Sequence, residues 1–452
     1  MNRREFVRLS ALVGGGLIAA EWLFDTQIAS AATEVYRSSK GTLKLKLIAD
    51  EQLIKYGKSK RWAMTYNGVF PAPTLRAKPG DTIQITLVNK LNQPTNLHTH
   101  GLHTSPSGNG DNPLLMIAPG ETFEYSIKIP LTQKSGTFWY HPHHHELSAG
   151  QVASGLAGAL IIEDTLDALG VLSSATERVL VLADPRIGTT SAVAKTSQMD
   201  RMHGRSGPNT LVNGELLPTI KAKGENAEHW RLINSSVSLY QTISVPGAQM
   251  WQIASDSSRL PTITKINSIT LTPGQRTELL VTAPQKGGYN LQNGYQAIAE
   301  VEFSSKSNAV SPVSLLPFSK ISKVDGKRTI VIKGSGMGMM GGMGHEMAFT
   351  FDGRAFDPKR VDQSVKFGTT EEWTISNPSS MDHPFHLHAW PFQVADDGHG
   401  NFLQGWHDTV NLPSGKSVKI RIPFVDIKGT TVYHCHILDH EDAGMMGIIK
   451  VS

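Results

Sequence analysis

The stretch "NGVFPAPTLRAKPGDTIQITLVN", residues 67–89, ends in a segment where apolar residues occupy every second position from Ile83 to Leu87. Alternation with a period of two is typical of a strand that buries one face and exposes the other. The segments "FEYSIKI" (123–129) and "VKIRI" (418–422) alternate in the same way. Short strands of this kind, bounded by glycine and proline turns, predict an all-β chain built as a sandwich or a barrel.

The same stretch recurs along the chain, with copies that begin at Asn67, Asn213 and Asp352. A second element, "PGETFEYSIKI" in the first copy, also recurs, as "PGQRTELLVTA" and "PSGKSVKIRIP". A repeat of this length is a whole domain rather than the unit of a solenoid. The repeats therefore predict three tandem β-sandwich domains, which span residues 32–166, 167–306 and 307–452.

The N-terminus is typical of an export signal. Arg3 and Arg4 precede a short apolar run, and the small residues "IASAA" (28–32) follow it. Paired arginines before a modest apolar segment match the twin-arginine pattern, which directs folded proteins out of the cytoplasm. Because the run is shorter than the roughly 20 residues of a membrane span, a membrane anchor is disfavoured. We predict a signal peptide over residues 1–31, recognised by the twin-arginine export machinery, and a periplasmic or secreted mature form without membrane association.

Net charge and cysteine content exclude some classes of partner and of covalent cross-link. The net charge of +4 over 452 residues is weak and gives no reason to expect nucleic acid as a partner. The chain has one cysteine, Cys435, which cannot form an internal disulfide. A core thiol would be an ordinary alternative for a lone cysteine. Its neighbours, however, are the histidines His434 and His436.

Histidines in His-X-His pairs occur in the first and third repeats, and the matching positions of the second repeat have none. On a strand, residues i and i+2 point to the same face, so each pair presents two imidazoles side by side. Imidazole is a ligand for copper, zinc, iron and nickel. The second domain is thus expected to act as a metal-free spacer. The four pairs are His98/His100, His141/His143, His386/His388 and His434/His436.

Cys435 must point to the face opposite its two histidine neighbours. On that face His383, His440 and Met445 can complete a ligand set. Two histidines, a cysteine and a weak axial methionine form a blue-copper electron-transfer site. The backbone around Cys435 would then connect this copper to a second, histidine-held cluster.

Four motifs carry a resemblance to a known family: "HTHG" (98–101), "HPHH" (141–144), "HPFHLH" (383–388) and "HCHILDHEDAGMM" (434–446). Together they closely resemble the bacterial three-domain multicopper oxidases of the laccase and copper-efflux-oxidase type, over nearly the whole mature chain. Thr99 stands where the family usually has tryptophan, which leaves both ligands in place. The resemblance implies three cupredoxin-like Greek-key β-sandwich domains.

The resemblance also implies four copper ions and no other cofactor. His144 and His145, which extend the "HPHHH" run, are expected to lie outside the ligand sets. The implied type 1 ligands are His383, Cys435, His440 and Met445, and the implied type 2 ligands are His98 and His386. The implied type 3 ligands are His100, His141 and His436 for one copper and His143, His388 and His434 for the other.

The implied reaction couples four one-electron oxidations of phenols or aromatic amines, and of Cu(I), to the reduction of O2 to two waters. Because this reduction consumes four protons, acidic groups are expected near the cluster. Glu441 matches the proton-delivering glutamate of the family, and Asp111 in "SGNGDNP" lies near the position of its cluster aspartate, in a loop of different length. Asp382 is expected to hydrogen-bond to the ligand His383.

A methionine-rich stretch, "GSGMGMMGGMGHEM" (334–347), has neither helix nor strand periodicity. Thioethers are soft ligands that favour Cu(I). The stretch therefore predicts an accessory Cu(I) site, and the alternative is a surface loop without ligands. Copper-efflux oxidases have a longer insert at this place. The candidate ligands are Met337, Met339, Met340, Met343, His345 and Met347.

Two other functions remain as alternatives. Copper nitrite reductases have a type 1 cysteine without the flanking histidine pair, so the "HCH" sequence argues against them. Division-associated scaffolds share the fold and the export signal but have lost the copper ligands, all of which are present here.

Overall fold

The computed structural model describes residues 34–163, 172, 174–187, 192, 196–310, 318–334 and 349–452. The predicted signal peptide, the predicted domain boundary at 166 and the candidate Cu(I) ligands at 337–347 lie outside these residues. Within the described part of the chain, no helix is long and apolar enough to cross a membrane.

The first repeat forms two sheets, with strand orders β1-β4-β9-β8-β6 and β3-β2-β5-β7. A core of leucine, isoleucine and aromatic side chains, including Leu47, Ile85 and Phe138, lies in this repeat. Its elements are β1 Val35–Arg37, β2 Thr42–Tyr56, β3 Ser59–Tyr66, β4 Ala72–Ala77, β5 Thr82–Asn89, β6 His98–His100, β7 Thr122–Lys128, β8 Gly136–His141, α1 Ser148–Ala153 and β9 Gly158–Ile162.

The second repeat also forms two sheets, with strand orders β11-β10-β13-β18-β15-β16 and β12-β20-β19-β14-β17. Its elements are β10 Thr176–Ala183, α2 Gln198–His203, β11 Leu211–Val212, β12 Thr219–Ala222, β13 Glu228–Asn234, β14 Gln241–Ser244, β15 Gln249–Ser255, β16 Ser258–Ile266, β17 Ile269–Leu271, β18 Arg276–Thr282, β19 Gly287–Asn293 and β20 Gln296–Phe303.

The third repeat has the strand orders β22-β21-β24-β28-β26 and β23-β30-β29-β25-β27. Its elements are β21 Gly326–Gly334, β22 Phe349–Phe351, β23 Gln363–Val365, β24 Thr369–Asn377, β25 His383–Leu387, β26 Gln393–Asp396, β27 Thr409–Leu412, β28 Lys416–Phe424, β29 Gly429–Cys435, α3 Leu438–Asp442 and β30 Met446–Val451.

One turn recurs at the start of each repeated stretch. Asn67, Asn213 and Asp352 have positive φ angles of 57°, 52° and 55°, and a positive-φ glycine follows each of them. Asparagine, aspartate and glycine tolerate this left-handed conformation better than other residues. The Oδ1 of each residue accepts a backbone N–H of β2, β10 or β21 at 2.8 Å. The sequence repeat is therefore a repeat of the same turn, held by the same hydrogen bond.

The predicted fold class is confirmed: the described part of the chain is mostly β and forms six sheets, in three cupredoxin-like domains. The strands predicted at 82–88 and 418–422 fall in β5 and β28, and the strand predicted at 123–129 corresponds to β7, which ends one residue earlier at Lys128. In β5 the side chains of Ile83, Ile85 and Leu87 are buried, as the alternation predicts. The domain boundaries near 166 and 306 stay predictions.

The four histidine pairs lie on two pairs of strands or just after the ends of these strands. In the first domain His98 of β6 lies opposite His141 of β8. In the third domain His386 of β25 lies opposite His434 of β29. Directly opposite residues on antiparallel strands have neighbouring Cβ atoms, so each pairing gathers the imidazoles of two motifs that are distant in sequence.

Candidate metal centres

The first centre lies around Cys435, at the end of β29. Its Sγ is 3.6 Å from Nδ1 of His383 and 3.7 Å from Nδ1 of His440. All three residues are fully buried, as is Met445. Two imidazole nitrogens and one thiol sulfur thus converge on one point, and this donor set is the one that copper electron-transfer sites use.

Burial sets the protonation of this first centre. Desolvation raises the pKa of the Cys435 thiol well above its ordinary value. Desolvation also lowers the pKa of His383 to about 3 and that of His440 to about 4, with a smaller contribution to His440 from nearby His203. Both imidazoles are therefore neutral ligands at pH 7, and a bound cation would replace the thiol proton.

The outer edges of both histidines are covered by the protein. Nε2 of His383 meets Oγ of Ser379 at 3.1 Å, and Nε2 of His440 meets the carbonyl oxygen of Met202 in α2 at 3.2 Å. The Phe349 ring packs on both imidazoles, with centroids 4.7 Å from His383 and 4.6 Å from His440. Phe349 is the first described residue after the methionine stretch.

The expected contact between Asp382 and His383 is wrong. The Asp382 carboxylate accepts hydrogen bonds from Nδ2 of Asn411 and from the backbone N–H of Ser414, both at 2.8 Å. Ser379 takes the place next to the His383 ring. Side chains of consecutive residues in an extended strand point to opposite faces, so Asp382 faces away from its neighbour.

The second centre is a cluster of eight buried histidines, four from the first domain and four from the third. Nε2 of His434 lies 3.1 Å from Nε2 of His143 and 3.1 Å from Nε2 of His388. Two imidazole pairs stack across the interface with centroids 3.8 Å apart, His98 on His388 and His100 on His386. The members are His98, His100, His141, His143, His386, His388, His434 and His436.

Many nitrogens of this cluster have no hydrogen-bond partner in the described part of the chain. A buried polar atom without a partner is costly, and such atoms are rare in native proteins. Burial also lowers the pKa of His100, His141, His143, His386, His388, His434 and His436, that of His436 to about 3, so these rings are neutral and offer free lone pairs. The donor atoms therefore fit metal ions. The unpartnered atoms are Nε2 of His98, Nδ1 of His100, Nε2 of His141, Nε2 of His386, Nδ1 of His388 and both ring nitrogens of His436.

Among the described residues, three all-histidine groups in this cluster bring ligand atoms within 4.8 Å of one another, and a fourth group combines His100 and His386 with Asp408. One all-histidine group is the predicted ligand set of a type 3 copper, and the predicted type 2 pair, His98 and His386, shares a group with His388. The other predicted type 3 set appears only in part, because His436 contacts His100 at a centroid distance of 4.9 Å without joining its group. The all-histidine groups are His143/His388/His434, His98/His100/His141 and His98/His386/His388.

In several of these rings, the nitrogen that does not face the cluster contacts an oxygen atom of the protein. Nδ1 of His98 meets both carboxylate oxygens of Asp111 at 3.0 and 3.1 Å, and Nδ1 of His386 donates to the carbonyl of Asp408 at 2.8 Å. Asp111 also accepts the backbone N–H of Thr99 at 2.8 Å. Such contacts fix the orientation of a metal-ligating imidazole. The predicted residue Asp111 thus lies in direct contact with the cluster.

Glu441, the other predicted acidic residue, is fully buried beside the cluster. One carboxylate oxygen accepts from Oγ of Ser148 at 2.8 Å, and the other lies 3.3 Å from Nδ1 of His434. Burial, assisted by the neighbouring Asp442 carboxylate, raises the pKa of Glu441 well above its ordinary value. A carboxyl group in this state holds a proton at neutral pH.

Sequence reasoning missed Asp408 and Arg276. Oδ1 of Asp408 lies 3.0 Å from Nε2 of His100, and the Arg276 guanidinium, fully buried, donates to both oxygens of the same carboxylate. Gly274 approaches so closely that a Cβ there would lie 2.8 Å from the His436 ring. The second domain is therefore more than a spacer. The histidine motifs do not point to Asp408 or Arg276, because neither residue belongs to one of them.

The remaining histidines of the "HPHHH" run lie away from both centres. Nδ1 of His144 contacts the carbonyl of His145 at 3.0 Å, and the His145 ring packs on Phe356. Neither belongs to a group of converging metal-ligand atoms in the described residues. The candidate Cu(I) ligands of the methionine stretch lie outside the part of the chain that the structure describes.

Three family models, each described as multicopper oxidase, match residues 48–167, 182–310 and 336–452. A multicopper oxidase, mco, of Staphylococcus haemolyticus (strain JCSC1435) is 33% identical over 86% of this chain and 83% of its own. A laccase of Bacillus subtilis (strain 168) is 25% identical over 86% of this chain and 90% of its own. The cell division protein FtsP of Proteus mirabilis (strain HI4320) is 26% identical over 87% of this chain and 86% of its own.

Solved structures show the same similarity. A multicopper oxidase from Campylobacter jejuni, described as a metallo-oxidase, superposes with a TM-score of 0.83 at 30% identity, covering 93% of this chain and 94% of its own. A laccase from Pediococcus acidilactici superposes with a TM-score of 0.81 at 26% identity, covering 93% and 92%.

Proposed function

This chain belongs to the multicopper oxidase family, and from that premise we propose that it couples four one-electron oxidations of a donor to the reduction of O2 to two waters. The proposed donors are phenols, aromatic amines and Cu(I). Similarity to a laccase supports the organic donors, and similarity to a metallo-oxidase supports the metal donor.

One observation carries the proposal. The Cys435 sulfur faces His383 and His440, whereas the rings of its neighbours His434 and His436 belong to the eight-histidine cluster. A donor oxidised at the first centre can therefore pass its electron through the Cys435 backbone to the second centre. The function needs both centres, because it connects a site that takes up one electron at a time to a site large enough for several metal ions.

We assign four copper ions to the two centres. Copper, when bound, supplies the one-electron redox chemistry that protein side chains lack. The converging donor atoms at Cys435 and the unpartnered nitrogens of the histidine cluster support this assignment. The type 1 ligands are His383, Cys435, His440 and Met445; the type 2 ligands are His98 and His386; the type 3 ligands are His100, His141 and His436 for one ion and His143, His388 and His434 for the other.

We assign Glu441 as the residue that supplies protons for O2 reduction. Its carboxyl group is buried, carries a proton and lies beside the His434 and His143 rings, with Oε1 3.6 Å from Nε2 of His143. Asp111 contacts His98 through both oxygens, and we assign it as the residue that positions this ring. The two acidic residues thus have different roles, one in proton supply and the other in ligand orientation.

Export by the twin-arginine route to the periplasm or outside the cell is part of the same proposal. That route carries folded proteins, so the chain is expected to acquire its fold before export. Changing Arg3 and Arg4 together to lysine tests this step, with retention of the protein in the cytoplasm as the expected result.

The proposed function is tested with copper-loaded protein in an oxygen electrode. We expect a blue absorption band and consumption of one O2 for every four electrons taken from a phenol or from Cu(I), without release of hydrogen peroxide. A ratio of one O2 to two electrons would contradict reduction to water. Steady-state constants for both donors on one preparation then show whether the laccase or the cuprous oxidase activity dominates.

The alternative is a copper-free scaffold, which the similarity to FtsP favours. The presence in the sequence of every proposed ligand residue counts against it. A protein that stays colourless and binds no copper after loading would support the scaffold. The "HCH" sequence around Cys435 still argues against a copper nitrite reductase, since the type 1 cysteine of such enzymes lacks this flanking pair.

A further inference from the structure

The first centre has no exposed imidazole edge for a donor to touch. His383 and His440 are both fully buried, and their outer nitrogens meet Ser379 Oγ and the Met202 carbonyl. An electron from outside must therefore cross one of the groups that cover these rings. The Met202 carbonyl is part of α2, a second-domain helix with solvent-exposed side chains.

Three soft or borderline metal ligands share one face of α2. Met199, Met202 and His203 stand at positions i, i+3 and i+4, which are neighbours on a helix surface, about 5–6 Å apart at Cβ. Met199 is 60% exposed, His203 is exposed and Met202 is half-buried. Because Met199 is largely exposed, packing in a hydrophobic core does not account for a methionine at this position. Methionine side chains are flexible enough to turn toward a common ion. Thioether and imidazole ligands suit Cu(I).

The helix is firmly seated against the first centre. Immediately after α2, the Arg205 guanidinium and its backbone N–H bind the carboxylate of Asp439, the residue before His440, at 2.7 to 2.9 Å. Both side chains are nearly completely buried. Gly204, which connects α2 to Arg205, has a φ of 79°, and a Cβ at this residue would lie 2.7 Å from the Ile437 side chain. The Met202 carbonyl is thus held on His440 by contacts on its C-terminal side.

We propose that Met199, Met202 and His203 form a Cu(I)-binding site on the second domain, from which the electron enters the first centre through the Met202 carbonyl and His440. The inference rests on the proposed oxidase function and adds a substrate site to it. The site uses no residue of the methionine stretch, and it gives the second domain a role in electron entry.

The electron balance of this step is simple. Bound Cu(I) loses one electron and leaves as Cu(II), which binds thioethers less well because it is a harder cation. With copper bound at the first centre, this electron would reduce that ion from Cu(II) to Cu(I), and four such transfers would match the reduction of one O2 to two waters. No proton moves at the α2 site itself.

The test replaces the thioethers while keeping the backbone carbonyl. Met199→Leu with Met202→Leu conserves volume and removes both sulfurs. Met116→Leu is the matched control, because Met116 is 63% exposed and lies in a first-domain loop. We expect the double variant to keep its blue band and to raise KM for Cu(I) about tenfold, the effect of losing roughly 1.4 kcal/mol of binding. KM for 2,6-dimethoxyphenol should change far less, and the control should match the wild type for both donors.

Binding of Ag(I), a redox-inert analogue of Cu(I), separates this inference from the proposed function. The copper-loaded full chain is titrated with Ag(I) in chloride-free buffer. The double variant should bind one Ag(I) fewer than the wild type and the control. His203→Gln should bind this Ag(I) more weakly than they do. An unchanged silver count with an unchanged KM for Cu(I) would overturn the α2 site while leaving the oxidase intact. If the wild type oxidises phenols but not Cu(I), the proposed cuprous activity fails, and the silver count still decides whether α2 binds soft cations.

Discussion

The Arg276 guanidinium holds the Asp408 carboxylate through two parallel hydrogen bonds, Nη1 to Oδ1 at 2.7 Å and Nη2 to Oδ2 at 2.6 Å. Arg276 belongs to the second domain and Asp408 to the third, and the same carboxylate lies 3.0 Å from His100 of the first. A fully buried, bidentate pair of this kind is geometrically specific. All three domains therefore meet at one side of the histidine cluster.

Arg276→Lys should disturb the histidine cluster, because lysine keeps the charge but loses the planar fork. We expect a lower copper content, measured by metal analysis, and an altered type 2 signal in electron paramagnetic resonance, with the blue band retained. Arg231→Lys is the matched control, since Arg231 is a buried arginine of the same domain that pairs with Glu278 and Glu177 instead. Equal copper loss in both variants would mean that Arg276 matters only for general stability.

Cys435→Ser should abolish the blue band and the oxidase activity, because the soft thiolate is lost. The histidine cluster, which contains no sulfur, should keep its copper. Absorption spectroscopy together with metal analysis checks both parts of this prediction. A serine variant that remained blue would rule out the type 1 assignment.

Glu441→Gln should leave the copper content unchanged and slow O2 reduction by about 100-fold or more, because an amide cannot deliver a proton. Glutamine retains the size of the side chain and its hydrogen bond to Ser148. The measurement is O2 consumption at saturating electron donor. Wild-type turnover under those conditions would show that Glu441 takes no part in proton supply.

Deletion of residues 337–347 should raise KM for Cu(I) while KM for small phenols stays nearly level, because thioethers bind Cu(I) and not a neutral phenol. Changing the five methionines of this stretch to serine, with the length kept, controls for the loss of a covering loop. If the stretch only covers the site, its deletion should instead speed turnover of bulky organic donors. Equal changes for Cu(I) and phenol would contradict a capture role.

Asp184→Asn should change the pH dependence of stability. Burial raises the pKa of Asp184 to about 6 in the folded chain. The folded state therefore holds this proton more tightly than the unfolded state, and its contribution to stability is full below about pH 4 and is lost as the pH rises through 6. Asparagine cannot ionise and avoids this loss.

The unfolding free energy of Asp184→Asn relative to wild type should accordingly rise by up to about 3 kcal/mol between about pH 4 and pH 7. Denaturant titrations at both pH values measure the difference. Asp325→Asn, at an exposed aspartate, controls for the general removal of a charge. A difference that does not vary with pH would refute the raised pKa of Asp184.

Local patterns in the sequence predict the fold class and most of the candidate ligands. Alternation with a period of two reflects burial of one strand face, and it correctly placed Ile83, Ile85 and Leu87 in the core. The repeated turn at Asn67, Asn213 and Asp352 depends on side chains that tolerate positive φ, a local property. His-X-His spacing is also local, since residues i and i+2 share a strand face.

The groups that surround those ligands depend on tertiary packing and could not be predicted from the sequence. Asp382, adjacent to His383 in sequence, turns away from it, whereas Arg276 and Asp408 reach the cluster from two different domains. The carbonyl that covers His440 comes from Met202, and no side-chain pattern encodes a backbone carbonyl. The physical reason is that burial patterns and turn preferences act over a few residues, while hydrogen bonds between domains depend on where the packed sheets bring distant parts of the chain.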